Sequence, residues 1–193
     1  FARTLPYQLK PFTLIGATTR IALLSAPLRS RFSGGVFRLE FYTEKEIEEI
    51  IKRSAKILGV PLEGTAGREL ATRSRFTPRT ANYFLKRARD FAQVGKLPLD
   101  EHAVKETLRL LEIDEIGLSC PDRNMLTVLI EKFSGGPVGL STIAAATSEE
   151  QATIEEVYEP YLLKLGLLER TPRGRVATKK AYEHLGFDFP EET

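Results

Sequence analysis

The sequence predicts a mainly α protein with a small β component: the tail of an α/β core, then a four-helix bundle, then a winged helix. Three observations carry this. Two short apolar runs near the start, residues 12–15 and 36–41, have the length and composition of buried strands. Four amphipathic segments bounded by Gly, Pro or Asp follow between residues 44 and 111. Beyond residue 113 the order is helix, helix, helix and hairpin, which is the order of a winged helix. The predicted divisions are residues 1–41, 42–112 and 113–193.

The first run, Phe12 to Ile15, closes on Gly16-Ala17-Thr18-Thr19. In open α/β sheets ligands sit beyond the carboxyl ends of the strands, so Thr18 and Thr19 are placed to hold a water or meet a phosphate. Arg29 and Arg31 follow Pro27, whose ring fixes the local backbone and would project two guanidinium groups from a stiffened turn. The second run, Val36 to Phe41, follows the Ser33-Gly34-Gly35 turn. Two apolar strands without neighbours cannot bury both faces, so residues 1–41 are expected to end a larger sheet whose earlier strands lie outside this sequence. In keeping with that, the sequence has no Gly-x-x-x-x-Gly-Lys-Ser/Thr phosphate loop and no apolar strand ending in paired carboxylates.

Thr43 followed by Glu46 predicts a capping box, and Ile47, Ile50, Ile51, Ala55 and Leu58 recur at helical spacing up to a Gly59 stop. The first helix is therefore expected over 44–58. The others are expected from Gly64 to Arg75, from Pro78 to Val94 and from Asp100 to Leu111. From Arg68 to Arg89 there are seven basic residues against one acidic, Glu69. Such a face is either a solvated helix surface or a contact for phosphates or an acidic neighbour.

In the last third, Asp122 is expected to cap or start a helix through Lys132. Gly135-Gly136-Pro137-Val138 predicts a turn and short strand, and Leu140 to Ala146 a compact helix. Ile154, Val157, Tyr161, Leu162 and Leu165 predict one buried face of a helix that stops at Gly166, bent near Pro160. Two strands, Leu167 to Arg170 and Arg175 to Thr178, flank the turn Thr171-Pro172-Arg173-Gly174. Residues 149–164 hold five glutamates against one lysine, while residues 166–185 hold five basic residues against two glutamates. Phosphate repulsion opposes insertion of so acidic a helix into a groove, so the hairpin is the element expected to meet a nucleic-acid backbone, without base readout. Arg173 and Arg175 lead that surface, with Arg170 and Lys179 beside them.

Composition bounds the rest. Hydrophobic residues make up 42% and charged residues 28%, the balance of an ordinary globular protein, and the net charge of +2 is too small to identify a partner. A single cysteine, Cys120, excludes an internal disulfide and a cysteine-rich metal site. His102 and His184 stand far apart without ligand spacing. No apolar run approaches bilayer-spanning length and residues 1–10 lack a leader's apolar segment, so a cytoplasmic protein is expected.

Taken together, Phe12-Thr-Leu-Ile-Gly-Ala-Thr-Thr-Arg20, Pro27-Leu-Arg-Ser-Arg-Phe32, Thr77-Pro78-Arg79, Arg87-x-Arg-Asp-Phe91, Gly135-Gly-Pro-Val-Gly-Leu140, Glu159-Pro-Tyr-Leu162 and Arg170-Thr-Pro-Arg-Gly-Arg175 resemble, in order, the RuvB family of AAA+ ATPases that drive Holliday-junction branch migration. The resemblance runs from the start of the chain to about His184. It implies the end of an AAA+ core, a helical lid and a DNA-binding winged helix in an ATP-driven DNA translocase. By resemblance, Thr18 or Thr19 is the first sensor and orients the attacking water, and Arg29 is the arginine finger that reaches a neighbouring subunit's ATP. Arg79, following Pro78, is the second sensor, and Tyr42 lines the adenine pocket. It further implies ATP or ADP with Mg2+ held by ligands outside this chain, double-stranded DNA at Holliday junctions, the partners RuvA and RuvC, a homo-hexamer and no membrane. A fragment of this extent is expected to be inactive alone. Two other classes remain open: a winged-helix DNA-binding or regulatory adaptor without its own ATPase activity, and a clamp-loader-like subunit that only donates Arg29. The chain departs from the family pattern where Phe76 replaces a glycine before Thr-Pro-Arg and where Ser33-Gly34-Gly35 replaces a single glycine and an aliphatic residue. A phenylalanine cannot enter glycine's backbone conformations without strain.

Overall fold

The computed structural model describes residues 9–190, which fall into two compact units divided between Glu40 and Phe41. Among the described residues of the first unit the regular elements are a 3-10 turn, Ile21–Leu23, and the one-turn helix α1, Ala26–Arg29, with Pro27 in its first turn. The strands expected at residues 12–15 and 36–41 are not formed. A strand needs a laterally bonded partner, and neither run has one among the described residues, so Ile15, Phe37 and Leu39 are left 90%, 83% and 91% exposed.

The second unit holds a four-helix lid and a winged helix, each around its own core. The lid comprises α2 (Glu44–Ile57), α3 (Ala66–Arg73), α4 (Pro78–Gly95) and α5 (Glu101–Leu110). Its helix starts have local causes. Thr43 and Glu46 form the capping box, Pro78 occupies the first position of α4, and the Asp100 side chain accepts the Ala103 N–H at 2.9 Å. Ile47 and Ile51 on α2 meet Leu70, Leu85 and Leu108, all fully buried, while Ala66, Ala71, Ala81, Ala88 and Ala103 let the helix backbones approach closely.

The Glu46 carboxylate accepts the Thr43 N–H at 2.7 Å and the Thr43 hydroxyl at 2.9 Å, and these bonds, the backbone one foremost, hold its pKa below the ordinary 4.5. A depressed folded-state pKa contributes stability that is fully present above the unfolded value and is lost as pH falls through the folded one. A Glu46→Gln chain, whose amide keeps an acceptor but does not titrate, should therefore lose less thermal stability than the parent on acidification below about pH 4.5. Parallel melting curves across that window check this.

The winged helix comprises α6 (Cys120–Phe133), α7 (Leu140–Thr147), α8 (Gln151–Thr153), a π-helical turn (Ile154–Tyr158), α9 (Glu159–Leu165), strands β1 (Leu168–Thr171) and β2 (Gly174–Ala177), and α10 (Lys179–Leu185). Ser119, rather than Asp122, is the cap of α6; Asp122 is the third-position partner in the capping box. Leu118, Met125, Leu126, Leu129, Ile143, Ile154, Leu162 and Leu167 form the core. β1 and β2 pair antiparallel with Leu168 opposite Ala177 and Thr171 opposite Gly174, leaving Pro172-Arg173 as a two-residue loop. Val138 adds a third line by exchanging both backbone hydrogen bonds with Arg175, at 2.9 and 2.8 Å. Gly174 is required there: its φ is +143°, and an added Cβ would fall 2.4 Å from the Val138 carbonyl oxygen.

The helix before the hairpin, expected to bend near Pro160, carries a π-helical turn just ahead of it. Pro160 has no N–H and its ring crowds the carbonyl four residues back, and in the widened turn ahead of it the Glu159 N–H donates five residues back, to Ile154. One extra residue in the turn rotates the later side chains about the helix axis. Val157, expected in the core, is 52% exposed, and Glu159, expected on the surface, is fully buried.

Candidate functional site

In the first unit Thr18, Thr19 and Arg29 are all exposed, with Thr18 Oγ1 accepting the Arg20 N–H at 3.0 Å. Arg29 closes the one-turn helix α1 and has no ion pair among the described residues. Because the Phe12 to Ile15 strand is not formed, Thr18 and Thr19 do not stand at a strand tip.

In the second unit Tyr42 is 44% exposed at the entrance to α2. Arg79 is exposed at the second position of α4, behind Pro78, in a first turn without acidic residues. The basic face around it is largely neutralised. Arg73 pairs with Glu69 at 3.1 Å, Arg75 with Asp122 at 3.1 Å, and Arg87 and Arg89 both with Asp90, at 2.9 and 2.7 Å. Arg68, Arg79 and Lys86 remain without an ion pair among the described residues.

The hairpin arginines divide in the same way. Glu159, turned inward by the π-helical turn, receives Arg175 Nε at 2.6 Å and is bonded by Arg170 Nη2 as well. The Arg175 side chain is 14% exposed and that of Arg170 46%, with Glu155 3.8 Å from Arg170. Their charge is matched within the fold, which ties α9 to both strands. Arg173, at the hairpin tip, is exposed and unpaired among the described residues; Lys179 is exposed and only loosely approached by Glu183, at 3.9 Å. Of the expected leading pair, Arg173 is thus unpaired among the described residues and Arg175 is paired, while Lys179, at the start of α10, is exposed with a loose partner.

Two structural centres are not visible to sequence reasoning. One is Glu159, which in sequence belongs with the acidic surface. The other is the turn between α3 and α4, where Arg75 and Phe76 have φ of +57° and +55°. The strain expected of Phe76 is thus present, at about 1–2 kcal/mol for each non-glycine residue in this conformation. The bonds that offset it span the lid and the winged helix. Arg75 Nη1 donates to the buried Asp122 carboxylate and Nη2 to the Val157 carbonyl at 2.9 Å, while its guanidinium lies 4.6 Å from the Tyr161 ring centroid. Tyr161, its hydroxyl pushed up to about 12 by burial, donates to the Ile116 carbonyl at 2.6 Å. Gly117 lies so close that an added Cβ would stand 2.6 Å from the Arg73 carbonyl oxygen. The signal in the sequence is phenylalanine at the glycine position; the partners, 47 and 82 residues away, are not readable there.

Comparison with known proteins places the chain in one family. Residues 1–39 match the model described as Holliday junction DNA helicase RuvB P-loop domain, residues 42–114 the RuvB AAA lid domain, and residues 115–186 the RuvB C-terminal winged helix domain. The Holliday junction branch migration complex subunit RuvB of Chloroflexus aurantiacus is 55% identical over 100% of this chain and 55% of its own length. That of Lawsonia intracellularis is 56% identical over 95% of this chain and 54% of its own length. The solved structure of the Thermotoga maritima RuvB Holliday junction branch migration motor superposes with a TM-score of 0.87 at 51% identity, over 93% of this chain and 60% of that one. The chain thus spans about half the length of the curated relatives it matches.

Proposed function

This chain belongs to the RuvB family, and from that premise we propose that it supplies the sensor, arginine-finger and DNA-contacting parts of an ATP-driven translocase that migrates Holliday junctions. One observation carries the reading: among the arginines singled out by sequence, Arg29, Arg79 and Arg173 are exposed and unpaired among the described residues, whereas Arg170 and Arg175 are held by a buried carboxylate. Unpaired guanidinium groups at three separate places are what phosphate-directed contacts require. In this reading the working protein is a cytoplasmic homo-hexamer acting on double-stranded DNA together with RuvA and RuvC.

ATP with Mg2+ supplies the phosphoryl group whose transfer to water drives movement. Arg79 fits a γ-phosphate oxygen, because it adds a free cation to the N-terminal end of an 18-residue helix whose first turn holds no carboxylate. Tyr42 offers a half-exposed ring to the adenine, and Thr18 or Thr19 a hydroxyl to the attacking water. Arg29 acts on the ATP of a neighbouring subunit.

At the hairpin, Arg173 and Lys179 meet phosphates, and Arg170 and Arg175 hold the hairpin against α9. Contact with phosphate alone carries no sequence information, which suits a protein that must move along any duplex. Substituting both Arg173 and Lys179 with alanine should weaken duplex binding uniformly across sequences. It should also flatten the dependence of log affinity on log salt by about two, one for each phosphate no longer neutralised. Titrations at several salt concentrations in the full-length protein measure both. An unchanged affinity and slope would remove the hairpin from the DNA surface.

A further inference from the structure

The α3–α4 turn sits between Arg79 and the winged helix, and its bonds run in both directions. Toward the lid, the Thr77 N–H and hydroxyl reach the Ser74 carbonyl, at 3.2 and 3.3 Å, Pro78 fixes the backbone, and Arg79 follows. Toward the winged helix, Arg75 grips Asp122, Val157 and the Tyr161 ring, and the Phe76 ring lies 6.0 Å from that of Tyr161. Lys164 closes the far side, with Nζ 4.3 Å from the Phe76 ring centroid. Two residues before Tyr161, Glu159 binds Arg170 and Arg175, the residues that flank the Arg173 loop.

The Arg75 bonds to Asp122 and Val157 pin this left-handed turn and leave it little freedom to absorb a displacement, since a change of conformation would break them. A shift of the α4 N-terminus is therefore passed on rather than damped. We propose that Arg75 is a positioning residue that couples Arg79 to the hairpin, so that the nucleotide state sensed at one end alters the grip on DNA at the other. The proposal rests on the reading that Arg79 senses nucleotide and Arg173 contacts DNA. Behind it stand the Arg75 contacts with the Val157 carbonyl and the Tyr161 ring, on the same helical segment whose Glu159 holds Arg170 of β1 and Arg175 of β2.

Coupling is read as the ratio of duplex affinities of the full-length protein with ADP and with a non-hydrolysable ATP analogue. The unaltered protein should show a ratio of at least about fivefold, the lower end of typical couplings. Arg75→Lys keeps a cation beside Asp122 but cannot serve the carboxylate, the Val157 carbonyl and the Tyr161 face together. It should bring the ratio to within about twofold of unity while nucleotide affinity stays unchanged and the urea midpoint falls only as far as the lost contacts require. Phe76→Gly alters the same turn without touching the guanidinium and should keep the ratio. Should the Arg75→Lys chain not fold, Arg75→Met with Asp122→Asn removes the cation and its carboxylate together and should give the same collapsed ratio. A ratio retained without Arg75, or lost equally in Phe76→Gly, overturns the proposal, as does a ratio of one in the unaltered protein. Arg79→Ala separates the two failures. If it leaves affinity for the ATP analogue unchanged, the underlying reading fails; if it lowers that affinity while the Arg75 variants keep their ratio, only the coupling fails.

Discussion

Replacing Glu159 with alanine should lower the stability of the lid and winged-helix unit by about 3–5 kcal/mol, the usual effect of removing one partner of a buried ion pair. The size is set by the group left behind. Arg175 is 14% exposed, so its guanidinium would lose its carboxylate without gaining water. Arg170, at 46%, can turn outward and adds little. The cost is dominated by one stranded cation, which gives a sharp control. Glu159→Leu combined with Arg175→Met removes both buried charges at similar volume and should recover most of the loss, since such replacements are often neutral or stabilising. Urea unfolding followed by circular dichroism measures both, with an unchanged denaturant slope confirming that the folded and unfolded states are otherwise alike. If Glu159→Ala matches the parent, the pair does not hold the hairpin to α9, and Arg175 would then be available to DNA.

How far the chain can be read without its structure depends on how local each cause is. The lid helices are legible because their starts are written within four residues: Thr43 with Glu46, Pro78 after Thr77, Asp100 before Ala103. The hairpin is legible for the same reason, since Thr171 to Gly174 contains the whole turn. Val157 and Glu159 are misplaced by any reading that carries a regular helix across Pro160; one additional residue in that turn swings later side chains by about 100°. The α3 helix, expected to reach Arg75, stops at Arg73, because the two residues after Ser74 turn left-handed. The strands at 12–15 and 36–41 fail differently. Their composition is that of strands, but a strand is a property of a pair, and composition says nothing about whether the partner is there. The candidate site shows the same division. The exposure of Arg29, Arg79 and Arg173 needs no partner, whereas the pairing of Arg170 and Arg175 depends on a residue 11 and 16 positions away and is not written locally.

The functional consequence with the greatest reach concerns Arg29. In the full-length hexamer of the proposed function, Arg29→Ala should lower ATP turnover by on the order of a thousandfold or more, the scale on which a transition-state arginine acts in phosphoryl transfer. The side chain leaves a one-turn helix stiffened by Pro27, is exposed, and meets no carboxylate among the described residues, so its removal breaks no internal ion pair and should leave folding and DNA affinity untouched. That separation lets turnover be read cleanly. If the guanidinium serves the ATP of a neighbour, each altered subunit silences a site that is otherwise intact. Mixing altered subunits with unaltered ones should then make an altered subunit's own nucleotide site work when its neighbour is unaltered, and fail when it is not. The sharpest version pairs Arg29→Ala subunits with Arg79→Ala subunits. Each kind is defective alone, but in mixed rings an unaltered Arg29 can face an unaltered Arg79, so turnover should rise above the sum of the two separate preparations. Action within one subunit allows no such rise, and additive turnover across the mixing series would sink the assignment of Arg29 to a neighbour's ATP.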